Sequence, residues 1–360
     1  MRGVRTGLSS YAVRYLLLTL TMYLFAWPIL LILTFAATVR TSIIPLGFSG
    51  HSATSTANNK PLPLILWHGL GDNFNADGIK SVAKLALEVN PGTYVYPIRL
   101  ANDSSADQRA SFFGNITEQI DSVCKDISNH PVLSKAQAVN ALGFSQGGQF
   151  LRGYVERCNT PPVKNLVTFG SQHNGISKFS KCGDGDWLCK AAFGLLGANT
   201  WSAFVQSRLV PAQYFRDPED LESYLVGSNF LADVNNERVL KNEMYKKRLS
   251  TLKRFVMYMF RDDETVHPKE SAWWAEVNGT TGVITPLSNR TIYKEDWLGL
   301  RDLDEKGGLE FREIPGKHME INEQVLKEAF EKYFGPEDVV SYRHFRPGAS
   351  YLEDRVRLGS

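Results

Sequence analysis

The sequence has 360 residues, 43% of them hydrophobic and 22% charged, with a formal net charge of +2. That length holds one large domain or two modest ones, and the balance is ordinary for a globular chain. The near-neutral charge and the lack of a basic stripe exclude an electrostatic nucleic-acid binder. They leave a small molecule, a lipid or a neutral protein surface as the partner.

The first element is apolar. Tyr15 to Val39 is a nearly uniform hydrophobic run of about 25 residues, long enough to cross a bilayer. Arg2, Arg5 and Arg14 precede it, whereas only Arg40 follows closely and the next basic residue is Lys60. This bias puts the N-terminus in the cytosol and the remainder in a lumen. Pro28 interrupts the run, and Ala36 and Ala37 permit cleavage. Residues 1–40 therefore read as either a signal anchor or a removed signal peptide, with membrane contact expected through this segment. Residues 41–61 form a linker, polar and rich in small residues from Gly50 to Pro61.

From residue 62 to 334, apolar runs alternate with amphipathic ones. Strands are expected over 62–67, 93–98, 138–142, 163–170, 255–260 and 309–314. Helices are expected over 76–89, 116–127, 149–155 and 320–333. Strands alternating with helices specify an α/β fold: a mostly parallel central sheet with helices on both faces. The stretch from about 175 to 253 breaks the alternation; it is aromatic, cysteine-bearing, and helix-like over 237–253. It reads as a helical insertion over the C-terminal edge of the sheet, where α/β sites open. Residues 335–360 form a C-terminal tail of mixed charge, glycine and proline.

The most informative motif is Gly143-Phe144-Ser145-Gln146-Gly147-Gly148, directly after the apolar run Ala138 to Leu142. Strand, sharp turn, small residues and helix form the layout of a nucleophile elbow. The serine takes a strained backbone conformation, and side chains at 143 and 147 would collide with the neighbouring strand and helix. The turn pushes the Ser145 hydroxyl out of the sheet edge. It also puts the next backbone N–H groups at a helix N-terminus, where an oxyanion is stabilised.

A serine hydroxyl needs a base, and the base needs an orienting carboxylate. In this layout the chain order is Ser, then Asp or Glu, then His, on loops after late strands. The run ending at Phe260 leads into Arg261-Asp262-Asp263-Glu264-Thr265-Val266-His267-Pro268, and the run ending at Ile314 leads into Pro315-Gly316-Lys317-His318. His318 is the expected base and Asp263 the expected acid, with Asp262 and Glu264 as neighbouring candidates. His267 shares the loop that carries the acid. His173, in Ser171-Gln172-His173-Asn174-Gly175, is expected to line the site. His68, in Trp67-His68-Gly69-Leu70-Gly71-Asp72, begins a glycine-bearing turn suited to an oxyanion donor. Leu70 and Gln146 are the two expected backbone donors. An acyl groove is expected near Trp201, Phe204, Phe230 and Leu231, residues that serve equally well as core. No metal or cofactor is required.

Four cysteines make an even count, consistent with two disulfides in a secretory chain. Cys182 and Cys189 can close a small loop, and Cys124 and Cys158 fall in helical segments flanking the Ser145 strand. The alternative is a zinc site, although no paired C-x-x-C spacing is present. Sequons at Asn102, Asn115, Asn278 and Asn289 agree with a lumenal, glycosylated chain.

Taken together in order, Trp67 to Asp72, Gly143 to Arg152, Gly170 to Gly175, Phe230 to Asn235, Tyr245-Lys246-Lys247 and Phe255 to Trp273 resemble the palmitoyl-protein thioesterase family. The resemblance spans roughly residues 62 to 334. It implies an α/β hydrolase of the lysosome or secretory route that removes thioester-linked long-chain acyl groups from protein cysteines. By motif it implies nucleophile Ser145, acid Asp263, base His318 and oxyanion donors Leu70 and Gln146. It also implies the pairs Cys124–Cys158 and Cys182–Cys189, and S-acylated proteins or fatty acyl thioesters as substrates. The animal enzymes carry adjacent cysteines shortly after the His-Gly-x-Gly-Asp turn; here that stretch is Asn73-Phe74-Asn75. The change removes a local bridge and bears on loop rigidity rather than chemistry. The long N-terminal apolar segment is a second departure.

Two other functions fit the residues. A lipase or carboxylesterase would use the same triad on oxygen esters. A membrane-anchored acyl-binding protein would keep the fold without turnover.

Overall fold

The computed structural model describes residues 60–336 other than 180–181, 183–188, 192–193 and 195–198. The apolar run at 15–39, most of the linker, and the tail beyond 336 lie outside the described residues, and with them the signal-anchor or signal-peptide expectation. Among the described residues no helix is long and apolar enough to cross a membrane.

The six expected apolar runs pair into one sheet. Its strands are β1 (Leu64–Trp67), β2 (Val95–Pro97), β3 (Val139–Phe144), β4 (Val163–Phe169), β5 (Arg254–Phe260) and, after the outlying antiparallel pair β6 (Glu276–Val277) and β7 (Ile284–Thr285), β8 (Leu309–Ile314). The order is β2-β1-β3-β4-β5-β8 and every neighbouring pair is parallel. β1 and β3 are buried throughout, whereas the edge strands β2 and β8 are only partly so. That is why the central strands read as largely apolar runs.

Successive residues serve opposite faces of the sheet. Leu66, Leu142, Val167 and Val256 lie side by side in register and belong to one core layer. Ile65, Ala141, Leu166 and Phe255 form the adjacent row and belong to the other. The first layer is closed by helix α1 (Asp77–Val89), through Ile79, Val82 and Ala86, and by the helix Glu323–Ala329. The second is closed by α3 (Ile116–Asn129) and α4 (Gln146–Arg157). Asn115 caps α3 by accepting from Thr117 N (3.0 Å) and Glu118 N (3.4 Å).

Between α1 and α3 lies a helix that apolar periodicity did not reveal, α2 (Ser104–Phe112), capped by Asp103 through Ala106 N at 2.9 Å. Its polar, weakly amphipathic sequence carries no stripe; the Asp103 cap was its one local signal.

Between β4 and β5 the chain forms short helices, among them Ala203–Gln206, Val210–Gln213, Leu221–Gly227 and Leu231–Val234. The expected helix over 237–253 is shorter, Glu243–Leu249, because Asn242 caps it by accepting from Met244 N at 3.0 Å. The last helix likewise starts at Glu323 rather than 320, capped by Asn322 through Gln324 N at 2.8 Å, and ends in a π turn over Phe330–Phe334. The hairpin β6–β7 and the helices Thr291–Lys294 and Leu300–Glu305 were not anticipated from sequence.

All four cysteines are paired. Cys124 and Cys158 join α3 to the end of α4, and Cys182 bonds Cys189 seven residues on. No thiolate remains for the zinc site that spacing left open. A parallel sheet in this order, covered by helices on both faces and carrying helices between β4 and β5, is an α/β-hydrolase fold.

Candidate active site

β3 ends at Phe144 and α4 begins at Gln146, so the whole reversal falls on Ser145, which adopts φ 52° and ψ −126°. Its N–H donates to Phe169 O at 2.8 Å, tying the turn to β4. A Cβ at Gly147 would stand 2.3 Å from Trp67 O, and one at Gly143 would stand 2.3 Å from Gly148 Cα. Strand and helix can approach this closely only without those side chains.

Two late loops reach the serine. His318 Nε2 lies 3.0 Å from Ser145 Oγ, and His318 Nδ1 lies 2.7 Å from Asp263 Oδ2. The other Asp263 oxygen accepts from Thr265 N and Val266 N, each at 2.9 Å. The Asp263 side chain is 2% exposed and that of His318 13%. Asp262 and Glu264 are exposed, and Asp262 donates its N–H to Gly316 O at 3.1 Å. His267 is exposed, its carbonyl accepting from Ser177 N at 2.8 Å. Of the candidate acids and bases, His318 alone bonds Ser145, and Asp263 alone bonds His318.

His173 does not line the site as expected. It is fully buried, with Nε2 3.1 Å from Thr168 Oγ1 and its ring stacked on Trp274 at 5.6 Å. Burial, reinforced by the Arg152 charge, holds it neutral far below its ordinary titration range. Arg152 itself bonds Glu156 (2.8 Å) and Asn235 (2.8 Å) beneath α4.

Gln146 is the first residue of α4, where N–H groups have no intrahelical acceptor. Neither its N–H nor that of Leu70 donates to another described group. The Gln146 side chain is fixed at both ends, donating to Ser111 O at 3.0 Å and accepting from Tyr214 OH at 3.1 Å. Burial raises the Tyr214 hydroxyl above its ordinary range, so it stays a donor. The turn holding Leu70 faces α2. His68 Nε2 meets Asp107 Oδ2 at 3.0 Å, and Gly69 lies so close to the serine that a Cβ there would be 3.2 Å from Ser145 Cβ. Burial works against the Asp107 charge, yet the His68 contact and the N–H groups of Leu100 and Phe74 outweigh it and hold the carboxyl below its usual value. Sequence reasoning did not single out Asp107, because α2 itself was not foreseen.

A cleft of about 520 Å³ opens at Ser145 and His318, within the usual size of small-molecule sites. Its walls include Ile79, Val82 and Leu85 of α1, Ile176 and Tyr214 from the chain between β4 and β5, and Leu326 of the last helix. The residues expected to form the groove do not line it. Phe230 and Leu231 are wholly buried, Trp201 packs against Phe215 and Tyr224, and Phe204 is 57% exposed beneath the Arg208 guanidinium. Of the four sequon asparagines, Asn102, Asn278 and Asn289 are exposed; Asn115 is half-buried as the cap of α3.

The family described as palmitoyl protein thioesterase matches residues 63–318. Palmitoyl-protein thioesterase 1 of Caenorhabditis elegans is 39% identical over 76% of this chain and 92% of its own length. Palmitoyl-protein thioesterase 3 of Dictyostelium discoideum is 33% identical over 69% of this chain and 82% of its own. A lysosomal thioesterase of Xenopus laevis, PPT2-B, is 27% identical over 75% of this chain and 92% of its own.

Proposed function

The chain belongs to the palmitoyl protein thioesterase family, and from that premise we propose that it removes long-chain acyl groups, thioester-linked to protein cysteines, through an acyl-serine at Ser145. The observation that carries this reading is the run of contacts from Asp263 through His318 to Ser145, at 2.7 and 3.0 Å. In it, Ser145 Oγ attacks the thioester carbonyl carbon as His318 Nε2 takes its proton. The tetrahedral oxyanion rests on the N–H groups of Leu70 and Gln146. The C–S bond then breaks and His318 returns the proton to the leaving cysteine sulfur. Water, deprotonated by the same histidine, cleaves the acyl-serine, releasing the fatty acid and restoring the hydroxyl. Asp263 holds the ring with Nδ1–H toward itself and stabilises the imidazolium.

The acyl chain occupies the apolar cleft between α1 and the last helix, and each buried methylene contributes about 0.8 kcal/mol. Two disulfides and exposed asparagines in sequons support an oxidising lumen of the secretory or lysosomal route as its place of work. The test is hydrolysis of a palmitoyl-cysteine peptide beside a matched oxygen ester, wild type against Ser145→Ala. Thioester preference that vanishes in the variant is expected. Faster oxygen-ester turnover would move the assignment to a carboxylesterase, and turnover retained by Ser145→Ala would overturn the nucleophile.

A further inference from the structure

We propose that Asp107 is the positioning residue of the oxyanion site, holding the Leu70 N–H on target through His68 and Phe74; the proposal rests on the serine-hydrolase reading above. Asp107 Oδ2 accepts from His68 Nε2 at 3.0 Å and from Phe74 N at 2.8 Å. One oxygen thereby grips both ends of the turn that carries Leu70. Asp107 Oδ1 accepts from Leu100 N at 2.6 Å, so the carboxylate cannot swing away. The residue is 0% exposed and His68 2%.

The same helix face completes the grip. One residue on, Gln108 Nε2 donates to Gly71 O at 2.7 Å; a turn on, Ser111 Oγ accepts from Gly71 N at 2.8 Å. Ser111 O also accepts from the Gln146 side chain at 3.0 Å. α2 thus reaches both proposed donors, Leu70 through its turn and Gln146 through its side chain. Within the stretch Asn73-Phe74-Asn75, Asp107 braces the turn through the Phe74 N–H. Gly69 stands against Ser145, so a shift of the turn is a shift of the donor relative to the nucleophile, and misplacement by about 1 Å costs on the order of a hundredfold in rate.

Asp107→Asn keeps the volume but turns one of the acceptor positions into a donor, so the three N–H partners cannot all be met. The experiment compares the full-length wild type, Asp107→Asn and Gln108→Ala. A fluorophosphonate titrates active sites; a palmitoyl-cysteine peptide and a p-nitrophenyl ester serve as substrates. A long-chain trifluoromethyl ketone, whose adduct with serine carries an oxyanion, probes the hole. For Asp107→Asn, kcat per titrated site is expected to fall about 10- to 100-fold, short of the roughly 10²–10³ lost with a whole donor. KM is expected to stay within about threefold, and ketone affinity to weaken by the same factor as kcat. Gln108→Ala, which removes a half-exposed grip, is expected to fold and to show the same pattern at about 2- to 5-fold. Rates per titrated site equal to wild type in a folded variant, or a ketone affinity that does not follow kcat, would overturn the inference alone. A wild type inert toward titrant and both substrates would overturn the hydrolase reading and this one with it.

Discussion

Asp263 spends one oxygen on His318 Nδ1, at 2.7 Å, and the other on two backbone N–H groups of its own loop, Thr265 and Val266. The carboxylate is therefore oriented before substrate arrives. Asp263→Asn would present an amide N–H or a misdirected carbonyl to the ring and favour the wrong tautomer. Its kcat is expected to fall by about 10³–10⁴, with Asp262→Asn and Glu264→Gln within about threefold of wild type. Steady-state thioester kinetics of the three variants decide it; a comparable loss in either neighbour would reassign the acid.

The location of the cleft predicts which residues measure acyl length. Val82 of α1 and Leu326 of the last helix both line it. Val82→Trp or Leu326→Trp is expected to lower kcat/KM for a hexadecanoyl thioester about tenfold, by displacing roughly two methylenes. A butanoyl thioester should be hydrolysed within about twofold of wild type. Equal losses on both substrates would place the chain elsewhere.

A pH dependence follows from the cluster under α4. Burial pushes Glu156 up to about 7, only partly countered by Arg152, and its Oε2 meets no donor. Between its ordinary 4.5 and about 7, the native state keeps a proton that the unfolded chain has released. Stability from this group is thus full below about 4.5 and lost as pH rises through 7. His173 works the other way. Its ring stays neutral in the native state, whereas the unfolded ring binds a proton below 6.5, so its contribution grows as pH rises to 6.5. The two slopes oppose each other through the acid range. Wild-type Tm is expected to be nearly flat between about pH 5 and 6.5, and that of Glu156→Gln to climb by several degrees. Parallel Tm curves for the two proteins would refute this.

Gly147→Ala is expected to cost at least about 3 kcal/mol, because its Cβ would meet two backbone carbonyls, those of Trp67 and His68, which cannot give. Gly78→Ala, on α1 with nothing within 4 Å, should instead gain about 0.5–1 kcal/mol. Chemical denaturation of both variants tests the contrast; a well-folded, fully stable Gly147→Ala would contradict the packing described for the elbow.

The sheet was legible because its central strands are buried on both faces, so burial wrote itself into the sequence as largely apolar runs. The elbow was legible because close strand–helix approach demands glycine. Asp263 was separable from Asp262 and Glu264 only by motif spacing, since adjacent carboxylates on a loop look alike until the backbone aims one of them. α2 escaped because what fixes it is polar: Asp103 at its cap, and Asp107, Gln108 and Ser111 toward the Leu70 turn. The groove expected from sequence was misplaced for the opposite reason. Trp201, Phe230 and Leu231 are aromatic and aliphatic enough for a lipid site, but tertiary packing uses them as core, and the cleft falls to less conspicuous aliphatics of α1.

His318 follows Ser145 by 173 residues, on the loop after the outermost strand, β8, which pairs only with β5. A chain emerging from the ribosome therefore presents the proposed nucleophile long before the proposed base, and domains complete their packing only once the last segments are available. On the proposed mechanism, activity requires the final strand to dock, so turnover is expected to report on a finished sheet.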